Sequence, residues 1–348
     1  MREQWLTNWG QGLALAGCEA CDWLYLLPLQ KLPLTCPHCG QMELELMDAM
    51  ADSPIYTHPP ELLVPFVISP TTLQNQIQQF AGRIWFAPPD LQAENLIGRL
   101  QPIYIPMWLV DADVQAHWQA EVGYNYQIVS HRDQNVNGRW QSQQIQKTKV
   151  RWEPRLGTLS RRYNNTAAPA LEDHRNMMKR LGDYDRNKAQ PYQTVNEALV
   201  RLPNRPPEDA WTEAMAALYD IAKDDCCRAA NGDRVRDFKW SAEYANQNWT
   251  QLLLPLYTTF YLDDENQPQM LLVNGQTGEL NGRQRASMKR AFRTTGMIAT
   301  VTVLLFLAGL VLTFMKVGGG ETAVSLSFFT LLAALIPIIY VWYFNQTH

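Results

Sequence analysis

The stretch GCEACDWLYLLPLQKLPLTCPHCG, residues 17–40, contains two Cys-x-x-Cys pairs separated by residues 22–35. Each pair is expected to form a tight turn that directs two sulfur atoms toward one point. Two such pairs are the ligand set of a tetrahedral four-thiolate zinc site. The sequence therefore predicts one structural Zn2+ as the cofactor, with the ligands Cys18, Cys21, Cys36 and Cys39. Because four thiolates fill the coordination sphere, catalysis at this metal is not expected.

These cysteines predict an N-terminal zinc ribbon over residues 1–46. Residues 23–34 are expected to form a β-hairpin between the pairs, and residues 41–46 the strand that follows. His38 is expected at the surface and not at the metal. Lys31 is the only lysine or arginine between Cys18 and Cys39, whereas binding to phosphates needs several cations. The ribbon is therefore predicted to contact protein, or to pack within the chain, in preference to DNA.

The C-terminal end contains two uncharged stretches, GMIATVTVLLFLAGLVLTFM (296–315) and VSLSFFTLLAALIPIIYVWYF (324–344). A helix of about 20 apolar residues spans a hydrocarbon core of ~30 Å. Two such stretches in succession favour membrane helices over a buried core helix. Only residues 316–323 separate them, so they are predicted to form a two-helix transmembrane hairpin over 296–344. Pro337 is expected to kink the second helix.

Basic residues crowd the juxtamembrane segment 283–295, namely Arg283, Arg285, Lys289, Arg290 and Arg293. The loop between the two apolar stretches has one lysine and one glutamate. Because basic flanks stay on the cytoplasmic side, the large N-terminal part and the C-terminal tail are predicted to be cytoplasmic. The chain is thus expected to be a multi-pass protein of the cell (inner) membrane, with the lipid bilayer as a partner.

Between a linker (47–60) and the juxtamembrane segment lies a body, residues 61–282, in which strand and helix patterns alternate. Strands are predicted at 61–68, 103–150, 252–261 and 270–273, and helices at 73–80, 167–181, 194–199 and 208–230. The predicted fold class is α+β. It combines a small N-terminal zinc ribbon, a cytoplasmic body of mixed antiparallel sheet and helices, and a C-terminal transmembrane hairpin.

The charge and the cysteine usage exclude some classes of function. The chain has 348 residues and a formal net charge of -4, so no global field for binding polyanions is implied. The start, MREQW, lacks the apolar region of a signal peptide. The six cysteines are therefore expected in the reducing cytosol, where Cys-x-x-Cys pairs indicate metal more often than disulfides. Cys226 and Cys227 are interpreted as buried small apolar residues of the helix 208–230.

A catalytic motif is not found. The sequence contains no G-x-S-x-G, H-E-x-x-H or G-x-G-x-x-G pattern. Asp111 and Asp113 would share one face of a strand, which allows a metal-binding or acid–base pair, but a solvated strand end is the preferred interpretation. No catalytic residue and no small-molecule substrate is therefore predicted.

Several short motifs are spread over nearly the whole chain: the two cysteine pairs, Val64-Pro65-Phe66, Tyr104-Ile105-Pro106-Met107-Trp108 with Asp111, Gly232-Asp233 before Leu253-Leu254-Pro255-Leu256-Tyr257, and Val273-Asn274-Gly275-Gln276-Thr277-Gly278. With them the chain resembles a bacterial family of zinc-ribbon membrane proteins, which combine a transcription-factor-IIB-type zinc ribbon, a cytoplasmic α+β body and C-terminal membrane helices. Members are often labelled primosomal protein N′ (replication factor Y)-like. Some resemble membrane partners of phage-shock and flotillin-like proteins in envelope-stress systems, which implies a membrane-bound scaffold.

These observations predict a non-enzymatic membrane-anchored scaffold or adaptor that recruits cytoplasmic or peripheral membrane proteins. The alternative is a membrane-tethered nucleic-acid-binding protein associated with replication. It is not itself a helicase, because the chain lacks a G-x-x-x-x-G-K-[ST] loop. That alternative rests on a basic cluster with Trp152 and Tyr163 as stacking groups, formed by Arg151, Arg155, Arg161 and Arg162. A third interpretation is an enzyme of an unrecognised type.

Overall fold

The computed structural model describes residues 4–10, 12–48, 56–136, 139–195, 197–316 and 318–347, so the predicted linker lies partly outside the described residues. The strands are β1 (Leu13–Gly17), β2 (Leu24–Pro28), β3 (Glu45–Leu46), β4 (Leu62–Leu63), β5 (Gln101–Val136), β6 (Arg139–Pro169), β7 (Gln190–Pro191), β8 (Leu199–Arg201), β9 (Arg234–Leu262), β10 (Pro268–Asn274) and β11 (Leu280–Gly282). The helices are α1 (Gln4–Trp9), α2 (Pro70–Gly82), α3 (Ala93–Gly98), α4 (His174–Leu181), α5 (Pro207–Ala229), α6 (Met288–Phe314), α7 (Gly320–Ala333) and α8 (Ile336–Thr347).

Most of the strands follow one another in a large sheet of the order β11-β10-β9-β5-β8-β2-β1-β3. The cysteine-bearing segment enters this sheet through β2, which is antiparallel to β8 with Tyr25 opposite Arg201. β8 in turn runs parallel to β5, with Ile103 opposite Leu199. The predicted α+β class is therefore confirmed at this level, and the N-terminal strands extend the sheet of the body.

The chain divides into two compact units that interrupt each other in the sequence. The first comprises Met1–Pro106, Asp173–Leu202 and Leu253–His348, and the second Met107–Glu172 and Pro203–Leu252. The first unit therefore contains both the cysteine-bearing strands and the C-terminal helices. This division does not follow the linear order of ribbon, body and hairpin, because β5 and β9 each contribute residues to both units.

Two apolar clusters stabilise the first unit. One packs α1 against the sheet and includes Trp9 and Leu26. The other packs α2 and α3 against β9 and β10 and includes Ile77, Leu96 and Tyr261. All five side chains are fully buried. Because burying one large apolar side chain contributes about 1.5–3 kcal/mol, these clusters hold both ends of the sheet to the helices that cover it.

The second unit is built on an unusually long antiparallel ladder. β5 and β6 pair from Met107 opposite Pro169 to Val136 opposite Arg139, with one irregularity between Val110 and Ala112. The helix α5 packs on this ladder through buried apolar residues such as Leu218. The helix predicted over 208–230 is therefore confirmed, and the strands predicted over 103–150 merge into one extended hairpin.

The C-terminal helices form an antiparallel hairpin. Gly309 allows α6 and α7 to approach closely, because a Cβ atom at this position would lie 3.0 Å from the backbone nitrogen of Val324. The hydroxyl groups of Thr302 and Thr330 lie 3.1 Å apart across the pair. Small residues and hydroxyl contacts of this kind are typical of helix pairs in lipid. The second apolar stretch is not one continuous helix, because α7 ends at Ala333 and α8 begins at Ile336. The break lies just before Pro337, where the sequence predicts a kink.

Some predicted elements are wrong. Residues 167–181 are not one helix, because β6 continues to Pro169 and α4 begins only at His174. The described residues of 194–199 contain no helix, since Leu199 begins β8. The run 61–68 contributes only the short β4, and residues 23–34 form one strand, β2, whose partner β1 precedes the first cysteine pair. In the two regions predicted as helix, the pairing of β6 and β8 with β5 overrides the local preference of the sequence.

Candidate metal centre

The first cysteine pair lies in the connection between β1 and β2. These strands pair as far as Gly17 opposite Leu24, so their ends hold the residues between them. The N–H of Asp22 donates to the carbonyl oxygen of Cys18 at 2.8 Å, and the N–H of Cys18 donates to that of Trp23 at 3.1 Å. Asp22 has φ of 56°, a left-handed conformation that Asp adopts more readily than most residues. The connection is therefore a tight turn that begins at Cys18.

The second pair lies in a similar turn before β3. The N–H of Gly40 donates to the carbonyl oxygen of Cys36 at 2.9 Å, and the N–H of Cys36 donates to that of Met42 at 2.7 Å. Gly40 has φ of 65°, and a Cβ atom there would lie 2.8 Å from Pro268. A side chain at this position would therefore be strained. β3 pairs with β1, which ties this turn to the strand that precedes the first one.

The two turns bring the four predicted ligands together. The sulfur atoms of Cys18 and Cys39 lie 3.6 Å apart, those of Cys21 and Cys36 lie 3.7 Å apart, and all four lie within 4.8 Å of one another. These distances are far longer than the ~2.05 Å of a disulfide bond. The four residues, called here the four-cysteine cluster, are therefore close enough to hold a metal ion.

Burial and hydrogen bonds between thiols shift the pKa values of Cys18, Cys21 and Cys36. Burial raises the pKa of Cys18, and the hydrogen bond with Cys36 raises that of Cys21. The same bond from Cys21 holds the pKa of Cys36 below its ordinary value. Neighbouring thiols thus share protons, because several thiolates at such distances repel one another. A bound cation is what allows all four sulfur atoms to be deprotonated together.

A stack of side chains connects the second turn with the sheet. The rings of Trp23 and His38 are stacked with centroids 3.2 Å apart, and the guanidinium group of Arg201 lies over the ring of Trp23. Burial, followed by the charge of Arg201, lowers the pKa of His38 to about 4. His38, which is predicted at the surface, is partly exposed, and its ring is held in this stack.

Arg201 is a functional candidate that the sequence does not indicate. Its side chain is only 2% exposed and forms an ion pair with Asp173, with an Nη2 to Oδ1 distance of 3.1 Å. Burial lowers the pKa of Arg201 to about 10, opposed by the charge of Asp173, so the guanidinium stays protonated at neutral pH. Nothing in the local sequence distinguishes this arginine, since its partners come from distant segments.

In the second unit, an arginine contacts both members of the predicted acidic pair. Asp111 and Asp113 both face Arg162, at 3.8 and 3.1 Å, which agrees with their placement on one face of a strand. Hydrogen bonds from Asn246 and Arg162 hold the pKa of Asp113 below its usual value. Arg162 therefore bridges the two carboxylates and offsets one of their two charges, so the pair does not present two free carboxylates to a metal.

The arginines of the predicted basic cluster also form ion pairs with carboxylates. Each of its four arginines has a carboxylate partner: Arg151 and Arg155 with Glu153, Arg161 with Asp225, and Arg162 with Asp111 and Asp113. The proposed stacking groups are engaged as well. Arg236 lies over the ring of Trp152, 4.2 Å from its centroid, and the hydroxyl of Tyr163 donates to Asp225 at 3.1 Å. The cluster therefore offers less free positive charge than its sequence indicates.

The remaining two cysteines are buried in α5, as predicted. Cys226 is 2% exposed and Cys227 is 8% exposed. Burial raises the pKa of Cys226 to about 11 and raises the pKa of Cys227 as well. Because the thiolate is the reactive form, these residues serve as small apolar groups of the core.

The C-terminal segments Met288–Phe314 and Gly320–Thr347 are long and apolar enough to cross a membrane. Only 11% and 22% of their most apolar parts are buried, so most of this apolar surface faces outward. Comparisons with protein-family models, with curated proteins and with solved structures gave no match.

Proposed function

We propose that this chain is a non-enzymatic, membrane-anchored scaffold or adaptor that recruits cytoplasmic or peripheral membrane proteins. In this proposal the four-cysteine cluster holds one structural zinc ion, and the C-terminal helices anchor the chain in the inner membrane of a bacterium. The parts of the proposal are supported by different observations.

Zinc is supported by the spacing of the sulfur atoms. A tetrahedral site with Zn–S bonds of ~2.3 Å has sulfur atoms ~3.8 Å apart, close to the 3.6 and 3.7 Å between the two closest pairs. Four thiolates in tetrahedral arrangement select zinc or iron over hard cations. Because β1, β2 and β3 belong to the main sheet, the metal would stabilise the edge of that sheet.

The membrane anchor is supported by the way the hairpin ends. Asn345 accepts a hydrogen bond from the N–H of Ala286 at 2.8 Å and donates to its carbonyl oxygen at 3.0 Å. The residues that enter α6 and leave α8 therefore lie side by side, as they must if two crossings return the chain to its original side. The basic residues before α6 favour the cytoplasm as that side.

The observation that carries the scaffold proposal is the outer part of the β5–β6 hairpin, residues 125–136 and 139–150, called here the arm. The N–H of Asp233 donates to the carbonyl oxygen of Gly123 at 2.9 Å, and β9 begins at the next residue. From there β9 runs back along the hairpin, because Arg236 meets Glu121 and Asn246 meets Asp113. Within the described residues, the strands of the arm thus pair only with each other.

A two-stranded ribbon of this length leaves two edges of unpaired backbone groups. Such edges bind extended segments of other proteins by strand addition. The nucleic-acid alternative receives less support, because the arginines on which it rests are paired with carboxylates. An envelope-stress role follows only from the family resemblance and belongs to the same proposal.

The arm can be tested by shortening it in register. Residues 127–148 are replaced by Asn-Gly, so that Tyr126 and Lys149, which face each other in the ladder, are joined by a two-residue turn. The full chain and the shortened chain are purified by affinity from gently solubilised membranes, with and without nuclease. We expect peripheral proteins on the full chain after nuclease treatment and their loss from the shortened chain.

The zinc content and the membrane partitioning of the shortened chain serve as controls for its fold. If both chains retain the same proteins, the arm is not the recruiting element. If nucleic acid is the sole companion and salt removes it, the alternative function is correct.

A further inference from the structure

The first unit contains a cavity of about 240 Å³ between the face of the sheet, α4 and the second cysteine turn. The sheet contributes an apolar wall formed by Ile103, Ile105, Leu256, Met270 and Leu272. The opposite side is formed by Trp23 and His38, the stacked pair, together with residues of α4. A concave site with an apolar wall and a few convergent polar groups is typical of small-molecule sites.

The charged residues of the lining carry a net positive charge. They are Asp173, Arg180 and Arg201, and two of them, Asp173 and Arg201, neutralise each other in an ion pair. Arg180 is bonded through Nε to the neutral side-chain oxygen of Asn281 at 3.3 Å. Among the described residues no carboxylate lies within ion-pair distance of Arg180. A single negative charge on a ligand would therefore balance the net positive charge of the lining.

The hydroxyl group of Thr258 is a second polar group of the lining that a ligand could contact. Thr258 is 3% exposed, and its hydroxyl oxygen has no hydrogen-bond partner among the described residues. The neighbouring Thr259, on the other face of β9, donates its hydroxyl to the carbonyl oxygen of Leu96 at 2.7 Å. Since buried hydroxyl groups are normally hydrogen-bonded, the group at Thr258 is available to a ligand that accepts or donates a hydrogen bond.

We propose that this cavity binds a small amphipathic carboxylate, with its apolar chain against the apolar wall and its carboxylate held by Arg180 and the hydroxyl group of Thr258. A monoanion fits better than a phosphate dianion, because Asp173 borders the same cavity. At about 30 Å³ for each water molecule, the cavity holds roughly eight waters, so a ligand of similar size has a chain of about six carbons. This inference goes beyond the proposed scaffold function and does not depend on the arm.

The probes are hexanoate and its neutral analogue hexanamide. The full chain is reconstituted in lipid nanodiscs, and binding is measured by saturation-transfer NMR with empty nanodiscs as the reference. We expect hexanoate to bind saturably and about tenfold more tightly than hexanamide, because a guanidinium–carboxylate contact is lost in the amide.

Two matched pairs of variants locate the site. Arg180→Met should abolish the preference for hexanoate, whereas Arg175→Met, an exposed position on the same helix, should leave it unchanged. Thr258→Val should weaken hexanoate binding with an unchanged or higher melting temperature, because it removes an unbonded buried hydroxyl. Thr259→Val should show the reverse, with a lower melting temperature and unchanged binding.

The zinc content of each variant checks that the cysteine turns remain folded. The proposal is overturned if hexanoate binds no more tightly than hexanamide, or if Arg180→Met binds it as the unchanged chain does. Absence of saturable binding by the full chain would overturn it as well. None of these outcomes bears on the proposed scaffold function, because the role of the arm is tested separately by the proteins that co-purify with the chain.

Discussion

The carboxylate of Asp90 connects three parts of the first unit, and its replacement gives a prediction with a definite magnitude. It accepts hydrogen bonds from both terminal nitrogens of Arg99 at 2.5 and 2.9 Å, from Asn95 at 3.1 Å and from the N–H of Leu262 at 2.7 Å. The side chain of Asp90 is only 20% exposed. These bonds tie α3 to the end of β9, close to the segment that leads into α6.

Asp90→Asn keeps the size of the side chain and removes its charge. One of its two acceptor atoms becomes an NH2 group, which then faces an N–H donor. A buried donor without a partner costs about 1–3 kcal/mol, and the remaining bonds lose their charge assistance, at about 1 kcal/mol. We therefore expect the free energy of unfolding to fall by about 2–4 kcal/mol at neutral pH. The partial exposure of Arg99, 32%, favours the lower end of this range.

The loss of stability in Asp90→Asn is expected to depend on pH in one direction. Burial alone would raise the pKa of Asp90, but the hydrogen bonds from Arg99 and Leu262 hold it below its ordinary value. Because the folded-state pKa is depressed, the stabilisation is fully present above the unfolded pKa of about 3.9. It is lost as the pH falls through the folded pKa. The difference between the original chain and Asp90→Asn should therefore be constant well above the unfolded pKa and shrink as the pH falls through the folded pKa of Asp90.

The assay is urea unfolding of the detergent-solubilised chain, followed by tryptophan fluorescence, for Asp90→Asn, Arg99→Gln and the double variant. The double-mutant cycle should give a coupling energy of at least ~1 kcal/mol. A loss below about 0.5 kcal/mol in Asp90→Asn, the range of ordinary surface substitutions, would refute the reasoning. A loss that persists unchanged at the lowest pH would refute the assigned role of the charge.

Two further predictions concern the metal and the membrane. Cys39→Ser should lower the zinc content from about one equivalent per chain toward zero and destabilise the sheet edge, because metal binding and folding are coupled. Cys227→Ser, a buried cysteine outside the cluster, should retain the metal, and normal zinc in Cys39→Ser would exclude the four-thiolate site. Gly318→Cys, in the loop between α6 and α7, should react in intact cells with a membrane-impermeant maleimide, whereas Asn248→Cys in the second unit should not. Labelling of the second position alone would reverse the proposed orientation.

Features that depend on neighbouring residues were readable from the sequence. The spacing within each cysteine pair sets the turn that holds it, and the pairing of β1 with β2 and β3 then brings the two turns together. The apolar stretches of α6 to α8 and the periodicity of α5 likewise show in the order of residues alone. The C-terminal part of β9 and β10 lie where alternation and the turn residues predict strands, with Leu256 opposite Asn274, whereas the sequence analysis did not predict the part of β9 that precedes residue 252.

Features that depend on distant residues were decided by the tertiary structure. Leu199 begins a strand instead of ending a helix because β2 and β5 flank β8 in the sheet. The burial of His38 and the cavity beside it depend on Arg201 and Trp23, which meet only when β2 pairs with β8. The charge available at the basic cluster depended on carboxylates such as Asp225, contributed by α5. Contacts of this kind produce no periodic pattern in the sequence. Each joins segments that lie far apart along the chain, and the residues next to each segment do not indicate which distant segment it will meet.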